Sequence, residues 1–321
     1  MFSGKSIQAN SRSWWKKVFW SVLLGVLPLA LPVCAWEQEK AVRLYLTSIG
    51  NKAEPLGVHA QASLGENDLP VPSTSRDATT LVGESIQETA KLVTVRILTS
   101  LGAGSGVIIA HQGQTYTVLT NAHVVQDSQD ARYTVLTADG RSHSAQLLRS
   151  PQFGDLDLAM VEFTSEQSYK VVQMGDSEAL AVGDSVYAAG FPNWRLVNSN
   201  AIQNTRDWGI KAFEFTTGEV GMLSALSLLG GYQLGYTNNI ESGMSGGPVL
   251  DQNGLLIGIN GRLKYPVQGI RVFAFTDGTS PSEESFHQME ALSWAIPIST
   301  FQQLSKEGNV HLTFKFKQEE L

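Results

Sequence analysis

The chain has 321 residues, 42% hydrophobic and 17% charged, which supplies apolar material for a packed core and too little charge for an intrinsically disordered chain. With 23 basic against 30 acidic residues the formal charge is -7, opposite to what phosphate neutralisation requires, so nucleic acid is excluded as an expected partner. The single cysteine, Cys34, rules out an intrachain disulfide and any thiolate-clustered zinc or iron-sulfur centre, so the chemistry must come from oxygen and nitrogen groups.

In chain order, residues 12–17 (RSWWKK) are basic and 18–33 form one apolar run, the pattern of a secretory signal. Val33 and Ala35 occupy the positions a signal peptidase reads. Residues 1–35 are therefore expected to be a signal peptide cleaved before Trp36, exporting the rest to the periplasm or the extracellular space. The alternative is an anchor retained at 18–33, but this run is short of the ~20 residues of a spanning helix and contains Pro28 and Pro32. Lipidation of Cys34 is disfavoured by the bulky Val33 before it.

Residues 36–82 carry Pro55, Pro70, Pro72 and a Ser/Thr cluster with no sustained period, and read as a linker or pro-segment, largely disordered, with VRLYL at 42–46 a local apolar patch. A short helix is predicted at 84–91. Strands are predicted at 92–98, 105–110, 115–120, 133–137 and 158–163, then at 184–189, 211–217, 248–250, 255–260, 271–276 and 292–298. A closing helix at 299–307 and an alternating terminal strand at 311–317 complete the pattern. The 30 glycines, the Gly, Asn and Asp turns and the strand spacing indicate an all-β protein of two lobes.

Three segments carry chemistry. In LTNAHVV at 119–125, His123 follows a strand and a polar turn; alone, such a histidine is ordinarily structural. In GDLDLAMVEF at 154–163 a carboxylate opens a strongly apolar strand, an expensive place without a partner. Strand parity does not choose between Asp155 and Asp157. In ESGMSGGPVLD at 241–251, Ser245 is flanked by Gly243, Gly246 and Gly247, which permit backbone conformations closed to other residues. Together they supply what an activated hydroxyl needs: a base, a carboxylate to hold the base's tautomer, and backbone donors for an oxyanion.

These segments resemble the catalytic segments of trypsin-like serine endopeptidases, most closely of the HtrA type. GAGSGVII at 102–109, YAAGFP at 187–192, TTGEVGML at 216–223 and SWAIPIS at 293–299 extend the resemblance over roughly 84–308. It implies two six-stranded-type antiparallel β-barrels with a short helix at each end over 83–321, the first barrel at about 92–165 and the second at about 170–300. It implies His123 as general base, Asp157 as its orienting partner (Asp155 the fallback) and Ser245 as nucleophile. The Gly243 and Ser245 amides would form the oxyanion hole, and Asn239, Ile240, Ile259, Asn260 and Gly261 would wall the specificity pocket. Polypeptides are the expected substrates. No metal and no cofactor is expected, and an oligomer is compatible with the sequence without being required by it.

The chain departs from its relatives in three places. Met244 replaces the acid that digestive enzymes place before the nucleophile to pair with a newly cut N-terminus. No PDZ-like segment is expected after the closing helix. The stretch Asn193–Asn239 is longer than a hairpin series needs and reads as a specificity loop, an interface or a barrel insertion. Asn239, six before Ser245, is not acidic and no histidine faces it, which points to small or medium apolar residues before the cleaved bond. Two other readings stand beside this one. GMSGG also fits the nucleophile elbow of an α/β-hydrolase esterase, which requires a helix straight after the serine. A catalytically latent module serving as a binding or scaffold protein would keep the same residues.

Overall fold

The computed structural model describes residues 85–126, 132–148, 153–198 and 201–306. The proposed signal (1–35), linker (36–82) and terminal strand (311–317) lie outside them. A helix at 85–93 (α1) buries Ile86 and Ala90, four residues apart on one face, and runs directly into the first strand.

The first barrel contains β1 (Thr94–Leu98), β2 (Ala103–Gln112), β3 (Thr115–Thr120), the single helical turn α2 (Ala122–Val125), β4 (Arg132–Leu136), β5 (Ser142–Leu147) and β6 (Ala159–Thr164). The strand order β1-β2-β3-β6-β5-β4 closes because β4 pairs back onto β1. β2, β3 and β6 read as largely apolar runs for a simple reason. Ile108, Val118 and Val161 point into the barrel, while their neighbours Val107, Leu119 and Met160 point into a second core shared with the other barrel.

The second barrel contains β7 (Ser185–Gly190), β10 (Glu214–Leu228), β11 (Tyr232–Tyr236), β12 (Pro248–Leu250), β13 (Leu256–Arg262) and β14 (Ser293–Pro297), closed in the order β10-β11-β14-β13-β12-β7. Between β7 and β10 a hairpin of β8 (Trp194–Asn198) and β9 (Ala201–Asn204) stands apart as a two-stranded sheet. Helix α3 (Glu283–Glu290) begins at an N-cap Ser282 whose side chain accepts from the Ser285 amide, and α4 (Ile298–Lys306) follows β14 directly. The shared core joins Leu119, Leu158 and Met160 of the first barrel to Leu228, Tyr232, Leu250, Ile259 and Trp294 of the second.

Three readings of the sequence are corrected. β5 was not foreseen, because SHSAQL buries only Ala145 fully and lacks an apolar alternation. The strand expected at 271–276 is instead a 3-10 turn at Gly269–Phe273, in which only Phe273 is buried. The strand expected at 211–217 begins only at Glu214, after a 3-10 helix at Arg206–Ala212, and β10 then runs fifteen residues to Leu228, where Gly230 and Gly231, with φ of 87° and 92°, turn it tightly into β11. Within 193–239 the β8-β9 hairpin and that 3-10 helix stand outside the barrel strands. The strand β12 that follows Ser245, where an α/β-hydrolase needs a helix, excludes the esterase fold.

Candidate active site

His123 lies on α2, just beyond the end of β3, and Asp157 lies in the turn before β6; the adjacency of β3 and β6 in the barrel brings the two together. Asp157 Oδ1 accepts the His123 backbone N–H at 2.9 Å, and Oδ2 lies 2.6 Å from His123 Nδ1. A carboxylate only accepts, so Nδ1 carries the proton and Nε2 is left as an acceptor facing away. The loop is pinned as well: Asn121 Nδ2 donates to the Asp157 carbonyl at 2.8 Å, and the Asp157 amide donates to the Gly230 carbonyl at 2.9 Å. Asp155 is exposed on the same turn.

Side-chain exposure is 45% for His123 and 18% for Asp157, so the imidazole reaches solvent and the carboxylate does not freely do so. Burial opposes ionisation of Asp157. The hydrogen bond and charge of the His123 ring, the Tyr232 hydroxyl and the His123 amide outweigh it and hold the carboxyl below its ordinary value.

Ser245 sits on the turn between β11 and β12. Its carbonyl accepts the Ser105 amide of β2 at 2.8 Å, while the Ser105 carbonyl accepts Thr120 Oγ1 at 2.7 Å. The serine segment and the strand leading to His123 are thus tied to one residue of the first barrel. Ser245 Oγ lies 3.5 Å from the Gly261 carbonyl, and no hydrogen bond joins it to His123. The turn requires its glycines. Gly243 (φ 100°) and Gly246 (φ 86°) both have left-handed backbone, and a Cβ on Gly246 would lie 2.1 Å from the Ser105 carbonyl oxygen. Met244 is fully buried in the second barrel and anchors the turn.

The backbone amides of this turn divide into two sets. Those of Met244, Gly246 and Gly247 donate to Glu241, Asn260 and Met244 carbonyls, whereas those of Gly243 and Ser245 donate to no backbone carbonyl among the described residues. The Ser242 carbonyl accepts the Asn193 amide at 2.7 Å and the Met244 carbonyl accepts the Gly247 amide at 3.1 Å. In trans peptides the N–H points opposite its C=O, so the Gly243 and Ser245 N–H groups are turned away from those partners. Asn193 is itself held by the Thr205 amide, and Thr205 by the buried Arg96, whose Nη1 donates to the Thr205 carbonyl at 2.7 Å.

Of the residues expected to wall a specificity pocket, Ile240 and Ile259 are buried, and the Asn260 side-chain Nδ2 is committed inside the barrel to the carbonyls of Ala189 (3.1 Å) and Pro248 (3.4 Å). Asn239 is exposed and Gly261 half-buried. Lys264 Nζ donates to Asn239 Oδ1 at 3.1 Å and to the Thr237 carbonyl. Lys264, Ser105 and Asn193 escaped sequence reasoning, as did Tyr232, whose hydroxyl donates to Asp157 Oδ2. Each acts through a partner distant in sequence, and no local pattern marks it. Among the described residues no group of three or more His, Cys, Asp or Glu could hold a metal ion.

Paired six-stranded barrels with these residues at their joint define a peptidase-like β-barrel architecture. Residues 104–259 match the model of the trypsin-like peptidase domain. It is 33% identical over 175 residues to the periplasmic pH-dependent serine endoprotease DegQ of Escherichia coli, covering 52% of this chain and 33% of DegQ. It is 32% identical over 180 residues to the periplasmic serine endoprotease DegP of Escherichia coli (53% of this chain, 32% of DegP). It is 29% identical over 162 residues to the serine protease Do-like HtrA of Bacillus subtilis (50% of this chain, 34% of HtrA). The match spans about a third of the length of these relatives.

Replacing Gly246 by Ala is expected to cost about 2 kcal/mol or more in urea unfolding, from positive φ and the clash with Ser105; an unchanged urea midpoint would contradict the close approach. The Asp157 carboxyl, depressed in the folded state, contributes stability that is present above the unfolded value of about 4 and lost as pH falls through the folded one. The difference in Tm between wild type and Asp157→Asn should therefore narrow below about pH 4. A difference that widens there would contradict the pairing.

Proposed function

We propose that the protein is a serine endopeptidase in which Ser245 attacks a peptide carbonyl, His123 takes its proton and passes it to the leaving amine, and Asp157 holds His123 in the required tautomer. The His123–Asp157 hydrogen bond at 2.6 Å is the observation that carries this reading. It commits Nδ1 and leaves Nε2 as the base. The Ser245 hydroxyl rests 3.5 Å from the Gly261 carbonyl, and unliganded sites often hold the serine–histidine bond open until substrate binds. The Gly243 and Ser245 amides, which donate to no backbone carbonyl among the described residues, suit a tetrahedral oxyanion. Water then releases the acyl group in a second half-reaction.

For the residue before the cleaved bond we propose a small or medium apolar side chain. Asn239 offers no carboxylate, and the Lys264 ammonium bound to it repels Lys and Arg. We also propose that the chain is exported. The basic stretch at 12–17 followed by the apolar run at 18–33 supports this, as do the names of the Escherichia coli relatives, which describe periplasmic enzymes.

Mass spectrometry after reaction with a fluorophosphonate should show label on Ser245, with the chain beginning at Trp36. Label should be absent in Ser245→Ala and reduced on the order of 10⁶-fold in His123→Ala. Labelling should fall on acidification, because only a neutral imidazole accepts the Ser245 proton. An unlabelled wild type would leave the latent-scaffold reading, and a chain still beginning at Met1 would favour the anchored form. Cleavage-site profiling of unfolded polypeptides should return apolar residues; a profile dominated by Lys and Arg would overturn the specificity.

A further inference from the structure

We propose that Tyr232 is a positioning residue for the base: from the second barrel its hydroxyl pins the Asp157 carboxylate of the first and spreads that carboxylate's charge, and Gly261 and Arg262 keep it in place. This rests on the peptidase reading of the same site.

Asp157 Oδ2 is shared by two donors, His123 Nδ1 and the Tyr232 hydroxyl, while Oδ1 takes the His123 amide. With both oxygens engaged from different directions, the carboxylate cannot rotate without breaking a bond. The tyrosine is delivered by the β10-β11 turn, whose Gly230 carbonyl also accepts the Asp157 amide, so one hairpin grips this residue by backbone and side chain at once. Tyr232 is 1% exposed and fills a slot that glycine keeps open. A Cβ on Gly261 would lie 2.1 Å from its hydroxyl oxygen, and a Cβ on Gly230 would lie 3.0 Å from its ring.

The charged groups facing Asp157 among the described residues are His123 and, behind the tyrosine ring, Arg262. The Arg262 guanidinium lies 4.4 Å from the ring centroid and is fixed by the Val272 and Leu229 carbonyls. Interposing a neutral phenol has a chemical consequence. A direct arginine–carboxylate pair would neutralise Asp157 and weaken its hold on an imidazolium, whereas a phenol donates one hydrogen bond and leaves His123 as the only cation in contact. Burial and the neighbouring carboxylate both push the Tyr232 phenol well above its ordinary range, so it remains the donor.

Tyr232→Phe removes the hydroxyl and keeps the ring under Arg262. In the full chain, fluorophosphonate labelling of Ser245 followed from about pH 5 to 9 should slow about tenfold at its plateau, and its acid limb should move upward by about half a unit. The limb moves because a carboxylate with one donor fewer favours the imidazolium. Gly261→Ala, which displaces the hydroxyl sterically, should shift the limb in the same direction. A folded Tyr232→Phe protein whose profile overlays the wild type overturns the assignment. If wild-type Ser245 is unreactive, the peptidase reading fails. The NMR resonance of the His123 Nδ1 proton then decides the role of Tyr232: a line that moves in Tyr232→Phe supports it, and an unmoved line overturns it.

Discussion

The site depends on one close approach, where the Ser105 amide of β2 meets the Ser245 carbonyl across the joint of the barrels. His123 stands on the first barrel and Ser245 on the second, so their relation is only as well defined as that joint. Ser105 serves it three times. Its amide holds Ser245, its carbonyl accepts Thr120 two residues before α2, and its hydroxyl donates to the Gly243 carbonyl while accepting the Phe191 amide. Such contact leaves no room for a side chain on Gly246, which explains a glycine there better than flexibility does. Because Ser105 is fully buried, each of these bonds forms away from competing water and is costly to leave unmade.

The same logic governs Asp157. A half-buried carboxylate is destabilised by desolvation, and the fold answers with donors from both barrels rather than with a contacting permanent cation. The ionised form is thereby kept while its attraction remains available to His123. Stability and the proposed chemistry draw on one set of contacts here, and the price is sensitivity to small displacements of the β10-β11 turn.

The core shows how far patterning reaches. Alternation in β2, β3 and β6 is hidden because both faces of these strands are buried, one inside the barrel and the other against its partner, yet their apolar runs locate the strands well. β5 escaped because a polar strand with one fully buried residue is held by its neighbours' hydrogen bonds and not by its own hydrophobicity. The 271–276 segment misled for the opposite reason: of its alternating aromatics, Phe273 is buried in a 3-10 turn and Phe275 makes only an isolated bridge to Leu228.

By itself the sequence determined the all-β class, the two-lobed division, the order of the His, Asp and Ser segments and the glycine turn around Ser245, because each is written in local composition, periodicity or a contiguous motif. The tertiary structure alone brought Asp157 and not Asp155 to His123, Ser105 under the serine turn, Lys264 to Asn239, and Tyr232 with Arg262 behind the carboxylate. Their partners lie far apart in the chain or on the other barrel. A hydrogen bond across a closed barrel joint depends on distance and direction in space, and neither is encoded in a window of neighbouring residues.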